Sequence, residues 1–418
     1  MRARAIYFNQ CELGAIDGDQ LHVSGSLILR RDTICRGELS LVGAKTSGDL
    51  VICGVTFEVG NGPAIFANGA TIEGSTFIGD YPYESNELSL FSDAPLYFAA
   101  TRIGGDFFIE NASLTAGAGI LSNNISLDGA EGENRVAFSL ARASIGGLLF
   151  AKNLQVASGS FNFSGLSVRR LNDEPSGDNN GFPLRLDGFE YKEFAQHTDI
   201  SVSSRLEWLN RRPAGIGFSA QPYEQLARVY EKLGHTSDAQ FVLMKKEETQ
   251  RLHDIDEMVE NKSWFRLGLL CIGFVLLKWL VGFGYRPIRA LMWALLFIAC
   301  GWIFFKATWD AGDMAPNAAP ILISRDWIAA TEAHPKNPAQ FWSQPGQAGQ
   351  DYETFSALAY SADLFIPIIN LGQETAWAPS TSRSPLGRIA WWVRWIAKTI
   401  GWVVTALGAA AITGVIRR

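Results

Sequence analysis

The stretch FSALAYSADLFIPIINLG, Phe355 to Gly372, is apolar apart from Asp363 and is interrupted by Pro367. A carboxylate in such a run is costly to hold in hydrocarbon, and by default it marks a functional position. If several copies of the chain assemble, Asp363 from each forms a cation-selecting ring, as acidic rings do in ion pores. Tyr360 and Gln373 are its polar neighbours. Pro367 stops a helix there, so the segment reads as a short re-entrant helix followed by extended chain. The competing reading is an interfacial or periplasmic amphipathic helix with Asp363 in water.

Elsewhere the signatures of catalysis are missing. There is no GxxxxGK[ST], HExxH or GxSxG, and GIGFSA (Gly215 to Ala220) neither follows a clear strand nor opens a helix within a βαβ unit. The five histidines are isolated; His253 has Asp254, Asp256 and Glu257 beside it, a pattern that a solvated acidic helix face explains. Asp106, Glu110 and Asp128 are carboxylates that a groove could use or that turns could leave in water. No catalytic, cofactor-binding or metal-binding residue is assigned, and no cofactor is expected. The five cysteines form no CxxC pair and are widely spaced, so they read as packed thiols in a reducing compartment. The net charge of −6 carries no basic excess, which excludes nucleic acid as a partner.

These residues need elements to hold them, and the chain divides in character. Of its 13 tryptophans only Trp208 precedes residue 260, whereas glycine and β-branched residues dominate the first 190 positions. Three apolar runs follow Trp264: Leu267 to Gly284, Ala290 to Phe305 and Thr399 to Ile416. Each approaches the roughly 20 residues that a span requires. Trp264, Trp302, Trp309, Trp391, Trp392, Trp395 and Trp402 lie near run ends, as an interfacial aromatic belt demands. The last run carries two stripes of small residues, Thr405, Ala409, Thr413 and Ala406, Ala410, Gly414, fit for close packing on another helix or a second copy. The first 18 residues have no apolar core of signal-peptide length, so the N-terminal part is expected in the cytoplasm.

The N-terminal part repeats itself. RIGGDFFIENASL begins at Arg102 and SIGGLLFAKNLQV at Ser144; GELSLVG, GDLVICG, FANGATIEGSTF and LYFAATRIGGDF share the cadence. Short alternating runs separated by Gly and Asn are strands and turns. Self-similarity at a fixed interval points to a stacked solenoid, with each 42-residue interval holding two rungs of about 21 residues. Ile103, Phe107, Ile145 and Leu149 then form inward columns, and Gly104, Gly105, Gly146 and Gly147 turn the corners. After a last rung at Phe182 to Phe194, Leu226, Val229, Tyr230 and Leu233 recur at helical spacing, Gly234 ends that helix, and Ser237 or Asp238 caps the next. This helix pair resembles one tetratricopeptide unit and suits a cap or connector.

The order of these features, with LRLDGFEY, QPYEQLARVYEKLGHTSDAQFVLMKKE, GFGYRPIRAL and YSADLFIPIINLGQE, resembles bacterial membrane proteins with an N-terminal pentapeptide-like β-helix domain, some labelled membrane-associated oxidoreductase. The likeness runs from about Gly37, is most specific at Gln221 to Ala227 and Tyr360 to Pro367, and transfers no catalytic residues. It supports the architecture expected from the residues. That architecture is a right-handed β-helix solenoid over 1–194, a small α-helical hairpin over 195–262, and a transmembrane domain over 263–418. The membrane segments are expected at about 264–284, 289–306, 396–416 and a possible re-entrant 355–372. The function expected is a non-enzymatic bacterial inner-membrane protein with a cytoplasmic recognition or sensor domain. It would be a homo-oligomer in the lipid bilayer, with an unidentified protein partner or ligand for the β-helix. An oligomeric ion channel or membrane-permeabilising effector around Asp363 is the alternative, and a membrane-associated enzyme the third reading.

Overall fold

The computed structural model describes residues 2–83, 87–117, 135–175, 181–260 and 264–417. Asp128 lies outside them. The chain forms two compact units, Met1–His253 and Asp254–Arg418.

In the first unit, period-two runs become strands that bury alternate residues; Leu27–Cys35 buries Leu27, Leu29, Thr33 and Cys35. Ile6–Asn9, Leu27–Cys35, Leu50–Phe57, Thr76–Gly79, Phe107–Thr115, Ser144–Ser158, Ser167–Asp173 and Glu190–Phe194 pair in succession, all parallel. They belong to a 15-stranded sheet, and a second parallel sheet has seven strands, from Ile16–Asp17 to Leu184–Arg185. Leu29, Ile52, Ile109 and Leu149 of the large sheet share one core with Ile65, Leu96, Phe138 and Phe161 of the small one. Ile103 faces Ile145 and Phe107 faces Leu149 across neighbouring strands, all four buried.

This layout corrects the expected fold. The strands do not close into a right-handed β-helix solenoid of pentapeptide-like rungs; they form two parallel sheets, α/β-like in class once the helices are included. The expectation rests on a fixed interval, and here the steps differ. Along one column of hydrogen bonds, Ser26 to Asp49 is 23 residues, Asp49 to Ser75 is 26, Ser75 to Asp106 is 31 and Asp106 to Leu148 is 42. The 42-residue interval is a single step, because Phe107–Thr115 pairs directly with Ser144–Ser158. What repeats is register in a parallel sheet.

Three helices follow the sheets: α1 (Val202–Asn210), α2 (Gln221–Lys232) and α3 (Thr236–Glu260). Gly234, at φ +82, makes the turn between α2 and α3. The apolar face of α2 buries Tyr223, Leu226, Val229 and Tyr230.

The second unit contains α4 (Trp264–Leu276), α5 (Ile288–Asp310), α6 (Ala319–Leu322), α7 (Arg325–Ala333), α8 (Pro338–Trp342), α9 (Ala357–Phe365), α10 (Gln373–Ala376) and α11 (Pro385–Ile412). Two helices, α5 and α11, are long and apolar enough to cross a membrane. The third span expected at 264–284 is not a helix of that length. It passes from α4 into a π-helical segment, Leu277–Val281, and stops at Gly282 in the left-handed region. Between α5 and α11, the strands Met314–Pro316 and Trp377–Pro379 pair antiparallel, and Trp327, Trp342, Tyr360 and Trp377 fill a small core.

Candidate functional site

Asp363 sits near the end of α9, which starts at the N-cap Ser356; the Ser356 hydroxyl accepts from the Ala359 amide at 3.3 Å. The carboxylate is buried, 7% exposed. Its Oδ1 accepts the Leu371 amide and its Oδ2 the Glu374 amide, both at 2.8 Å. It therefore holds the returning chain against the helix that precedes it and caps the first turn of α10. A buried carboxylate is satisfied by such amide bonds in place of water.

Gln373 does the complementary job at the other end of α9. Its Oε1 accepts the Ser356 amide at 2.9 Å, while Nε2 donates to the Thr354 carbonyl at 2.9 Å and to Glu353 Oε1 at 2.8 Å. Asp363 and Gln373 thus clip α9 to α10 at opposite ends. Tyr360 is fully buried, edge-on to Phe305 with ring centroids 4.8 Å apart and tilted against Phe355 at 5.6 Å. Its hydroxyl has no hydrogen-bond partner among the described residues. It is a packing residue, and no hydrogen bond joins it to Asp363. Pro367 starts the turn after α9, where its missing N–H leaves one fewer backbone group to satisfy.

Sequence reasoning missed the next residue along. Glu374 Oε1 lies 2.9 Å from Arg394 Nη2 and also contacts Lys398 Nζ, so one carboxylate offsets two cations on α11. The signal was available as two cations one helical turn apart inside an otherwise apolar helix.

Within the chain, the two small-residue stripes do not form the packed face of α11, which leaves them to a second copy. The face of α11 buried within the chain carries Gly401, Val404, Gly408 and Ala411. Ala406, Ala409 and Thr413 are exposed, and Thr405, Ala410 and Gly414 are half-buried. Gly401 rests against the Phe365 carbonyl, and any Cβ there would overlap it.

In the first unit, Asp106 is a structural residue. Ser26 Oγ accepts the Asp49 amide at 3.0 Å, Asp49 Oδ1 the Ser75 amide at 2.8 Å, Ser75 Oγ the Asp106 amide at 3.1 Å, and Asp106 Oδ1 the Leu148 amide at 2.6 Å. The Gly-Ser and Gly-Asp dipeptides of the cadence encode this ladder. A Cβ on Gly147 would collide with the Asp106 carboxylate, so glycine keeps room for the oxygen. Glu110 is half-buried beside its register partner Lys152, and burial, then Asp80, raises its pKa. Asp80 Oδ2 accepts from Asn111 Nδ2 at 3.4 Å, Asn111 Oδ1 accepts from Asn153 Nδ2, and Glu174 Oε2 accepts the Asn153 amide at 3.0 Å. Next to this polar line runs an aromatic row on the outer face of the large sheet. Phe77 and Phe108 stack at 5.1 Å, Phe150 follows at 5.5 Å, and Tyr81 and Tyr83 edge onto Phe77. Tyr83 is 79% exposed.

Among the described residues, no group of three or more His, Cys, Asp or Glu could hold a metal ion. No family model matches the chain, and no curated protein or solved structure does either.

Proposed function

We propose that this is a bacterial inner-membrane protein without catalysis of its own. The first unit is a cytoplasmic recognition or sensor domain, and α5 and α11 are its anchor. The observation that carries the reading is the exposure of the apolar helices. Only 17% of the most apolar window of each is buried, and Leu291, Met292, Leu295, Ile303, Trp392, Ile396, Trp402 and Ile412 are exposed. A core helix of a soluble protein is mostly covered; a long, largely apolar helix left uncovered fits lipid. The recognition face favoured is the outer aromatic row with Tyr83, because aromatic residues beside polar ones suit partner contact. The cytoplasmic side rests on the isolated thiols Cys11, Cys35 and Cys53, which suit a reducing compartment.

Two carboxylates that chemistry could have used, Asp106 and Asp363, each accept backbone amides. That supports a scaffold over an enzyme. It also weighs against an Asp363-lined pore, because both oxygens of that carboxylate are engaged within one chain.

Cys300, exposed on α5, provides the test. In sealed vesicles a charged, membrane-impermeant maleimide should leave it unmodified, and SDS should make it reactive. Full modification in intact vesicles from both sides would remove the anchor reading.

A further inference from the structure

The two parallel sheets of the first unit are closed at one end and open at the other. At the last strands, α1 and α2 close the core, with Trp208, Leu209, Tyr223 and Leu226 buried in it. Glutamines of α2 also take up the last backbone groups. Gln221 Oε1 accepts the Gly188 amide at 2.8 Å, Gln221 Nε2 donates to the Phe189 carbonyl at 3.1 Å, and Gln225 Nε2 donates to the Tyr191 carbonyl.

Nothing among the described residues does this at the first strands. Ile6–Asn9 pairs only with Leu27–Cys35, and Ile16–Asp17 only with Leu39–Ser40. Ile6 and Gln10 donate to the Ser26 and Arg31 carbonyls, at 3.1 and 3.0 Å. A parallel ladder uses alternate residues, so Tyr7 and Asn9 turn their N–H and C=O groups away from it. The core is open at the same edge. Ile6, Phe8, Leu13 and Ile16 are half-buried, whereas their register partners Leu27, Leu29, Cys35 and Leu39 are buried. An apolar strand edge left unpaired is a template for another chain.

We propose that this end is an interface at which two copies of the chain meet across a two-fold axis, strand Ile6–Asn9 of each pairing antiparallel with its counterpart. The occupant is a second copy because it must bring strand edges for both sheets at once, with apolar side chains between them. A single extended peptide offers one edge and no core; the same end of another copy offers both. Charge fits as well. Arg2 and Arg4 precede the strand, Glu12 and Asp17 follow it, and all four are exposed. A two-fold reverses one copy, so the arginines of each face the carboxylates of the other.

The test places p-benzoylphenylalanine at Tyr7, which is 63% exposed, in the full chain in detergent. Irradiation should give a cross-linked dimer in which residue 7 is joined to residues 2–17 of the other copy, as read by mass spectrometry of the digested dimer. Asn9→Pro, added to the same chain, removes an outward amide and none of the inner ladder, and should cut the dimer about tenfold. No cross-linked dimer, or one joined only outside residues 2–17, overturns the interface. A dimer that Asn9→Pro leaves undiminished overturns the strand pairing. The inference does not rest on the membrane reading, since copies held together through α11 alone would not join residue 7 to this segment.

Discussion

Asp363 accepts the amide of Leu371 across eight residues at 2.8 Å, and the same carboxylate accepts the amide of Glu374. Asn at this position keeps one acceptor and Ala keeps none. Leaving a buried amide unsatisfied costs about 1–3 kcal/mol. Thermal melts of the full chain in detergent should fall in the order wild type, Asp363→Asn, Asp363→Ala. An Asp363→Ala melt equal to wild type would show that the carboxylate does not hold this turn.

Gly401 is where α9 meets α11. Gly401→Ala puts a methyl group into the Phe365 carbonyl and should cost about 1–3 kcal/mol, the usual penalty for overpacking. Ala406→Leu adds more volume on an exposed face of the same helix and should leave the melt unchanged if only this chain packs there. Equal effects from the two substitutions would contradict the packing described; a large effect from Ala406→Leu alone would point to a second copy on that face.

Leu148 hangs its amide on Asp106, so the ladder should fail there in a directed way. Asp106→Ala removes the acceptor, while Asp106→Asn and Asp106→Ser retain one. The Ala variant should lose about 1–3 kcal/mol, and the conservative variants less. Hydrogen exchange at Leu148 gives the local readout: faster exchange in the Ala variant than in the Asn variant is expected, and identical rates would dismiss the ladder as a stabilising feature.

Two buried tyrosines set an alkaline limit on the first unit. Burial pushes Tyr230 up to about 12, partly offset by Arg205, and its hydroxyl donates to the Ile200 carbonyl at 2.6 Å. Burial raises Tyr191 as well. A folded pKa above the unfolded value of about 10 means the folded state holds its proton longer. The contribution to stability is complete below pH 10 and is lost as pH rises from 10 towards 12. Melts of the full chain, followed by the far-ultraviolet signal of the sheets, should be level from pH 8 to 9.5 and then decline. Tyr230→Phe should flatten that decline; an unchanged slope would assign it elsewhere.

The ion pair of Arg205 and Asp173, at 2.7 Å, shows what a lone sequence hides. Arg205 is fully buried, with its guanidinium over Phe194 at 4.5 Å and over Trp208 at 5.4 Å. The two residues are 32 apart, on a strand and on α1, and nothing in their local sequence pairs them. Removing one partner leaves the other buried and uncompensated, which is costly. Arg205→Met should therefore destabilise more than the double variant Arg205→Met with Asp173→Leu, as read by chemical denaturation. The opposite order would mean that the pair is not coupled.

By itself the sequence determined whatever depends on local period and composition. Alternating runs became strands, the 3.6-residue pattern around Leu226 became α2, and long apolar runs became α5 and α11. It also displayed the Gly-Ser and Gly-Asp cadence, whose 42-residue repeat read as two rungs. Tertiary structure decided how far apart bonded neighbours lie in the chain. The ladder from Ser26 to Leu148 takes unequal steps, because loops of any length can join strands whose register is fixed by amides and inward side chains. Asp363 depended on the same distinction. An isolated carboxylate in an apolar run reads as a site when its partners are unseen, and the partners here are amides of residues 371 and 374, brought back by a turn that only the folded chain completes. The packed face of α11 was decided the same way. Several stripes of small residues run along that helix, and the arrival of Phe365 selects the one containing Gly401.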